Sequence, residues 1–366
     1  MQICLVEPYH GGSHRAWAEG YAEHSVHDVV LVTLPAENWR WRMRGGAVAL
    51  SRQVERLTVD GWRPEVVLVS GMVDLGLFRA LTLPMWGAPP MVLYFHENQL
   101  MYPSQQGTDA AYGFLNWSSA LVADEIWFNS EFHRSGFLEA LPVMLDRFPD
   151  GPHDTRSKEI SDRSRVLPVG VDLEPFSPTD EATGLPVVLW NHRWEHDKRP
   201  GRFGRAVLAL AAEGIDFDVV ICGEEPLGGD PFREHLERDL GARLRWSGHA
   251  DRSNYVDLVN GSDIVVSTAD HEFFGIAVVE AVAAGACPVV PDRLSYPELI
   301  PSEVHREALY PAGGLLDRLR HRLTNVEETR DLGRRISPNM RRFDWRVVAP
   351  QYDDSFEMLT GRGKRR

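Results

Sequence analysis

The chain has 366 residues, 43% of them hydrophobic and 25% charged, with a formal net charge of -14. That length exceeds what one ordinary core organises and suits two domains of typical size. The acid excess argues against indiscriminate binding of polyanions, and no apolar run is long enough to span a bilayer.

Cys4, Cys222 and Cys287 lie far apart in or beside apolar runs. They read as small buried thiols of a reducing compartment, neither a disulfide set nor metal ligands. With a strand beginning directly at Ile3, the expected location is the cytoplasm.

Short β-branched runs recur along the chain, separated by segments of helix length. The first half carries Ile3–Val6, Val29–Leu34, Val66–Ser70, Met91–Phe95 and Glu125–Asn129. The second carries Val187–Asn191, Phe217–Cys222, Leu244–Ser247, Ile264–Thr268 and Pro288–Pro291. Near-continuous apolar strands alternating with helices predict α/β domains with parallel sheets covered on both faces. Two such sets predict two doubly wound, Rossmann-like domains facing each other across a cleft.

The expected boundaries are 1–172 for an N-terminal Rossmann-like domain and 173–342 for a C-terminal Rossmann-like domain. Residues 343–366 are expected to form a helix returning to the N-terminal domain, with a basic tail at Arg362–Arg366. Phe148 to Arg165 is polar and turn-rich and predicts a flexible surface loop. A strand-like stretch follows at Arg165–Asp172. The Pro-rich linker Glu174–Pro186 is the expected hinge.

Strand ends carry the chemistry. The first strand ends in Glu7-Pro8-Tyr9-His10-Gly11-Gly12-Ser13-His14-Arg15, where a Gly-Gly turn entering a helix presents N–H groups to an oxyanion. A tight turn alone explains it equally. Trp39-Arg40-Trp41-Arg42-Met43-Arg44-Gly45-Gly46 alternates aromatic and cationic residues, as a nucleic-acid contact would. An amphipathic edge with tryptophans inward and arginines solvated is the slightly favoured reading of the residues alone. Phe95-His96-Glu97-Asn98-Gln99-Leu100 sets polar side chains beyond an apolar strand, with His96 expected to face substrate. Asn129-Ser130-Glu131-Phe132-His133-Arg134 ends the next strand in the same way.

In the second half, Trp190-Asn191-His192-Arg193-Trp194-Glu195-His196-Asp197-Lys198 puts two cations, Arg193 and Lys198, beyond a strand's carboxyl end. Such cations suit a diphosphate whose charge grows as it leaves. His192-x-x-Glu195-His196 matches a zinc-peptidase pattern, but that chemistry needs both histidines on one helix face. Following a strand and close to Pro200, it predicts no zinc site. Asp216-Phe217-Asp218 reads as a strand boundary rather than a metal pair. There is no G-x-G-x-x-G and no Walker loop.

The most informative stretch is His271-Glu272-Phe273-Phe274-Gly275, running into Ile276 to Ala281 with Glu280 inside the helix. Glu272 before the glycine turn is placed to grip sugar hydroxyls, and Glu280 to reach a ribose. The helix N-terminus offers N–H groups to anions.

Taken together, Glu272-x7-Glu280, Arg193-x4-Lys198 and the Gly11-Gly12 loop resemble the retaining GT-B glycosyltransferases of the family 4 type. The segments from Glu7, Trp39, Phe95, Trp190 and His271 are similar, nearly end to end, to the tRNA-queuosine mannosyltransferase family. The resemblance implies GDP-mannose as donor and the cyclopentenediol of queuosine in a tRNA anticodon as acceptor. It implies that Arg193 and Lys198 bind the diphosphate, and that Glu272 holds the donor sugar beside backbone N–H groups near Phe274 and Gly275. Glu280 takes the ribose, and Gly248 with His249 lies near the base. His96 approaches the sugar at the reacting face, and Gly12 meets phosphate or acceptor.

His96, Arg193, Lys198 and Glu272 are thus the implied catalytic set. His10, His14, Glu97 and Asn98 fall to the acceptor, and Arg15, Arg40, Arg42 and Arg44 to a local tRNA footprint. Retention would follow a same-face route in which the leaving diphosphate takes the acceptor's proton. No cofactor, obligatory metal, membrane surface or obligate protein partner is expected. The alternatives are a family 4-type enzyme acting on a small or lipid-linked acceptor, and a catalytically silent nucleotide-sugar or RNA-binding protein.

Overall fold

The computed structural model describes residues 1–59, 61–102, 110–148, 154–179, 184–224 and 229–362. Its contacts divide the chain into two units, Met1–Val171 with Trp345–Arg366, and Asp172–Asp344.

The first unit runs β1 (Gln2–His10), α1 (Gly12–His24), β2 (Asp28–Pro35), α2 (Trp39–Val59), β3 (Val66–Ser70), α3 (Leu75–Trp86) and β4 (Met91–Phe95). It continues with α4 (Ala110–Val122), β5 (Glu125–Phe128), α5 (Glu131–Leu145), α6 (Ser157–Asp162) and β6 (Ser164–Val166). The six strands lie in the order β2-β1-β3-β4-β5-β6, every pair parallel. Strands β3, β4 and β5 are buried along their whole length, which is why, apart from Ser70 and Glu125 at their ends, their sequences are apolar without alternation.

The second unit runs β7 (Val187–Trp190), α7 (Pro200–Ala212), β8 (Asp218–Cys222), α8 (Pro231–Leu240), β9 (Leu244–Gly248), α9 (Arg252–Asn260) and β10 (Ile264–Val266). It continues with α10 (Ile276–Ala283), β11 (Cys287–Pro291), α11 (Tyr296–Leu299), α12 (His305–Ala308), β12 (Leu309–Tyr310), α13 (Leu315–Thr324) and α14 (Val326–Met340). Its parallel order is β12-β11-β10-β7-β8-β9, the doubly wound order of dinucleotide-binding folds. The direction of winding reverses between β7 and β10, and between β1 and β3 in the first unit. Ligands of such sheets bind beyond the strand ends at that reversal.

The last helix, α15 (Trp345–Leu359), belongs to the first unit. It packs on α1 through Tyr21, whose hydroxyl donates to Asp353 Oδ1 at 2.7 Å. The Trp127 and Phe356 rings meet at 4.7 Å.

Two expectations need correction. The stretch expected to be a flexible loop before Arg165 contains α6 and the start of β6. Ile160 is fully buried there, and the Arg163 guanidinium donates to the carbonyls of Ala123 and Leu121. One buried isoleucine and one arginine dock an otherwise polar segment. Residues 149–153 of that stretch, and 363–366 of the basic tail, lie outside the described residues. The Trp39–Gly46 segment is not an edge: it forms the first turns of α2. Residues two apart do not share a helix face, whereas those four apart do. Met43 is therefore buried while Trp41 is half exposed.

Candidate active site

The site of the second unit is built where β7 and β10 end. Two loops follow these adjacent strands and are stitched together. The Thr268 hydroxyl donates to the Lys198 carbonyl at 2.7 Å, and the Asp270 amide to the Asp197 carbonyl at 2.7 Å. Arg199, Arg202 and Arg293 all converge on the Asp270 carboxylate. Burial opposes the charged form of Asp270, but Arg293, Arg199 and Arg202 outweigh it and hold its carboxyl at about 2. Sequence reasoning missed Asp270; its signal was a second acid just before Glu272.

This stitching delivers Lys198 to Glu272. The ammonium lies 3.3 Å from Glu272 Oε2 and 3.3 Å from Asp197 Oδ2, and donates to the His271 carbonyl at 2.7 Å. Burial disfavours its charge, yet Glu272 and Asp197 more than compensate and raise its pKa above the ordinary lysine value. A permanent cation therefore sits beside a carboxylate. Arg193, on the same loop, is exposed and pairs with Glu195 at 3.1 Å. Just before Arg193, the buried His192 is pushed down to about 4, by burial first and then by Lys198, against the pull of Glu272 and Asp197. The zinc-peptidase pattern is indeed split here: His192 follows the strand, while His196 opens a single 3-10 turn.

Beyond Glu272 the chain turns at Gly275, whose φ of 106° is a conformation that side chains with a Cβ rarely adopt. The Phe274 ring packs inward against Phe343 at 5.2 Å, leaving its backbone amide 3.5 Å from Glu272 Oε1. Helix α10 starts there, and its first N–H groups have no acceptor within the helix. Lys198, the Glu272 carboxylate and a helix N-terminus thus meet at the adjacent ends of β7 and β10.

Glu280, in the body of α10, is buried and held from both sides. Tyr255 donates its hydroxyl to Oε2 at 2.7 Å, and Arg252 donates to Oε1 at 3.0 Å. Burial raises its pKa, while Arg252 and Tyr255 pull it back only in part. Asn191 completes the network by donating to the Tyr255 hydroxyl at 3.0 Å. Tyr255 and Arg252 were not foreseen, because nothing in their local sequence marks them. Gly248 ends β9 with its carbonyl accepting from the Gly223 amide at 3.1 Å, and His249 is exposed in the turn that follows.

In the first unit the ends of β1 and β4 bring Glu7, His14 and His96 together. Glu7 is completely buried, an unusual state for a carboxylate. It accepts from the Tyr9 amide at 2.8 Å and lies 3.0 Å from His14 Nδ1. The His14 and His96 rings approach to 4.3 Å between centroids. Potential ligand atoms of Glu7, His14 and His96 all lie within 4.8 Å of one another, a spacing able to hold an ion. His96 is pushed well below the ordinary histidine range, by burial first and then by His14 and His133, so it is neutral. Its Nε2 is buried without a hydrogen-bond partner, 3.9 Å from Glu7 Oε2. An unpaired buried polar atom costs about 1–3 kcal/mol. Glu7 was quoted within its motif but given no role; a charged residue inside an apolar strand was the available signal.

The remaining expected residues divide. Gly12 is exposed at the start of α1 with open space around it, and His10 ends β1 with Nε2 3.7 Å from Glu19. Arg15 is taken up by Glu19 at 2.9 Å. Glu97 accepts from Tyr102 at 2.9 Å and from Gln99 at 3.3 Å. Asn98, expected to face an acceptor, is instead fully buried, its Oδ1 accepting from the Leu100 and Met101 amides. It shapes the loop. Arg40, Arg42 and Arg44 lie together at the start of α2.

Two parallel doubly wound units, with a lysine, paired glutamates and a helix N-terminus at a strand reversal, define a glycosyltransferase of the GT-B class. Residues 174–343 match the model of group 1 glycosyl transferases, and residues 2–171 that of the N-terminal part of tRNA-queuosine alpha-mannosyltransferase. The chain belongs to the tRNA-queuosine alpha-mannosyltransferase family. It is 35% identical over 314 residues to the tRNA-queuosine alpha-mannosyltransferase of Drosophila melanogaster, covering 82% of each chain. Against the GDP-mannose:cellobiosyl-diphosphopolyprenol alpha-mannosyltransferase of Xanthomonas campestris, identity is 25% over 308 residues, covering 81% of this chain and 75% of the other. Among solved structures, sucrose-phosphate synthase from Thermosynechococcus elongatus superposes with a TM-score of 0.72 at 16% identity, over 99% of both chains. That likeness concerns the fold. Among the described residues no helix is long and apolar enough to cross a membrane.

Proposed function

We propose that this enzyme transfers mannose, with retention, from GDP-mannose to the cyclopentenediol of queuosine in tRNA. The observation that carries the reading is the Lys198–Glu272 pair beside the N-terminus of α10, within a chain whose family is named for this acceptor. Lys198, with Arg193 and the α10 amides, takes the diphosphate and stabilises the charge that grows on it as the glycosidic bond breaks. Glu272 accepts from donor-sugar hydroxyls. Each Glu280 oxygen keeps a second lone pair beyond its bond to Tyr255 or Arg252, and these take the ribose. The Gly248–His249 turn lies toward the base.

In the first unit, neutral His96 offers its unpaired Nε2 to a substrate hydroxyl, and Glu7 orients His14 beside it. The acceptor hydroxyl's proton passes to the leaving diphosphate on the same face, so retention needs no enzyme nucleophile. Lys198 and Arg193 supply the positive charge that a divalent ion would otherwise provide. The reading places the enzyme in the cytoplasm with its tRNA substrate.

The test is incubation of the purified protein with radiolabelled GDP-mannose and tRNA, with and without queuosine. Label on queuosine-bearing tRNA alone is the expected result. Label on a lipid-linked acceptor and none on tRNA would overturn it.

A further inference from the structure

The start of α2 carries a surface that the transfer chemistry leaves unused. Trp41 is 50% exposed, a high value for the largest apolar side chain. The Arg42 guanidinium lies over its ring at 5.1 Å. Beside it, Arg40 lies over Trp39 at 5.3 Å, Trp39 packs against Tyr112 at 5.2 Å, and Arg44 lies over Tyr112 at 4.8 Å. Arg40 and Arg42 pair with no carboxylate among the described residues, in a chain whose net charge is -14. Arginines elsewhere on this protein are commonly neutralised, as Arg15 is by Glu19 and Arg199 by Asp270.

A glycine supports this arrangement. Gly45 stands one turn after Trp41 in the interior of a 21-residue helix, where glycine is a poor former. A Cβ there would lie 2.9 Å from Trp41 Cε2 and 3.0 Å from Cζ2. The indole therefore rests against bare helix backbone, and any larger residue would push it off. Sequence and packing together keep an aromatic ring at the surface, with the Arg42 guanidinium over it and Arg40 over the neighbouring Trp39, neither neutralised by an acid.

We propose that Trp41, held by Gly45 and flanked by Arg40 and Arg42, is a stacking platform for an unpaired base of RNA, the two arginines taking the adjoining phosphates. Bases released from a helix offer a π-face to aromatic rings, and arginine adds charge to the backbone beside them. The occupant is thus the single-stranded loop of an RNA, not a duplex, whose bases are stacked on each other. This inference rests on the reading of the acceptor as tRNA.

The test measures binding without transfer. A labelled stem-loop RNA, and its stem closed as a blunt duplex, are titrated into the full-length protein and its variants. Wild type should prefer the stem-loop, and Trp41→Ala should weaken that complex by about tenfold while leaving the duplex unchanged. Trp41→Phe should restore much of the loss. Gly45→Ala should behave like Trp41→Ala, although it suits a helix better and should not lower the thermal midpoint. Arg40→Gln with Arg42→Gln should reduce the salt slope of binding by about 0.7 for each charge removed. Stem-loop binding unchanged in both Trp41→Ala and Gly45→Ala would overturn the platform, as would equal binding of loop and duplex by wild type. RNA binding without mannosyl transfer would leave the platform standing and sink the transfer reading instead.

Discussion

Lys198 Nζ lies 3.3 Å from Glu272 Oε2, although 74 residues separate the two in sequence. They meet because β7 and β10 are neighbours in the sheet while the intervening β8 and β9 are wound outward. In the resting enzyme Glu272 screens the cation, and the His271 carbonyl fixes its position. A diphosphate would draw the same ammonium toward itself and free Glu272 for sugar hydroxyls.

Lys198→Ala should lower turnover by about 10²–10³-fold, the range for losing one charge-stabilising donor at a reacting centre. Glu272→Gln keeps the size but weakens acceptance from hydroxyls, and should also depress turnover. Both variants should melt within a few degrees of wild type, since neither side chain belongs to a hydrophobic core. Because the Lys198 pKa lies above the ordinary lysine range, no limb of the pH–rate profile between pH 6 and 9 should disappear in Lys198→Arg. Unaltered steady-state rates in both Lys198→Ala and Glu272→Gln would remove this loop pair from the mechanism.

The Tyr255–Glu280–Arg252 network makes a different demand. Glu280 is buried and its charge is disfavoured there, so the Tyr255 hydroxyl at 2.7 Å contributes to keeping it an acceptor. Tyr255→Phe removes that donor, at a cost of about 1–3 kcal/mol for a buried polar group. If Glu280 takes the ribose, Glu280→Gln should raise the donor KM more than it lowers kcat, with Tyr255→Phe following in the same direction. Initial rates at varied GDP-mannose decide this; a fall in kcat at constant KM would assign the network to the reacting centre.

Much of this architecture was legible in the chain, for a physical reason. Strands such as Val66–Ser70 and Met91–Phe95 are covered on both faces, so their sequences are short unbroken apolar runs that announce themselves. Polar residues beyond those runs marked the strand ends, which is how Lys198, Glu272 and His96 were singled out. The Trp39–Gly46 alternation misled because a period of two suggests an edge, whereas the buried Met43, Gly46, Ala47 and Leu50 follow the helical period. Strand β12 has two residues, too few to carry any pattern. Long-range partners left no local trace: Tyr255 meets Glu280 from another helix, and Asn98 looks like a site residue until its bonds to the Leu100 and Met101 amides are seen.

Glu7, His14 and His96 are close enough to hold an ion, yet the proposed chemistry draws its positive charge from Lys198 and Arg193. Activity should therefore survive dialysis against EDTA and should not be raised by added Mg²⁺, Mn²⁺ or Zn²⁺. Zn²⁺ titrated into the apo protein is the sharper check, because a two-histidine, one-carboxylate set suits that ion. Loss of rate on chelation, restored by one stoichiometric ion and absent in His14→Gln, would make this cluster a metal centre and reassign His96 as a ligand.

Buried histidines set the acid stability. Burial holds His133 down at about 3, while burial and then Lys198 hold His192 at about 4, Glu272 and Asp197 opposing. His96 lies well below its ordinary value for the reasons of burial and nearby histidines. In the unfolded chain each would bind a proton near pH 6.5. Between pH 6.5 and about 4, then, the unfolded state holds more protons than the folded one, and stability falls as pH falls. The stabilisation is fully present above the unfolded value and is lost on acidification at up to about 1.4 kcal/mol per pH unit for each histidine. Asp270, with a pKa of about 2, keeps its full stabilisation above the unfolded carboxyl value and loses it only as pH falls from there through about 2, so it does not blur this window. Urea unfolding at pH 7.0, 6.0 and 5.5 should show the midpoint dropping steadily without a change in m-value. His133→Gln, which retains a donor for Asn129 Oδ1, should flatten the slope by about one proton's worth. Buried Glu125 and Glu280, whose pKa values burial raises, oppose this slope, so a midpoint independent of pH in wild type and in His133→Gln alike would mean that these rings are protonated in the folded protein.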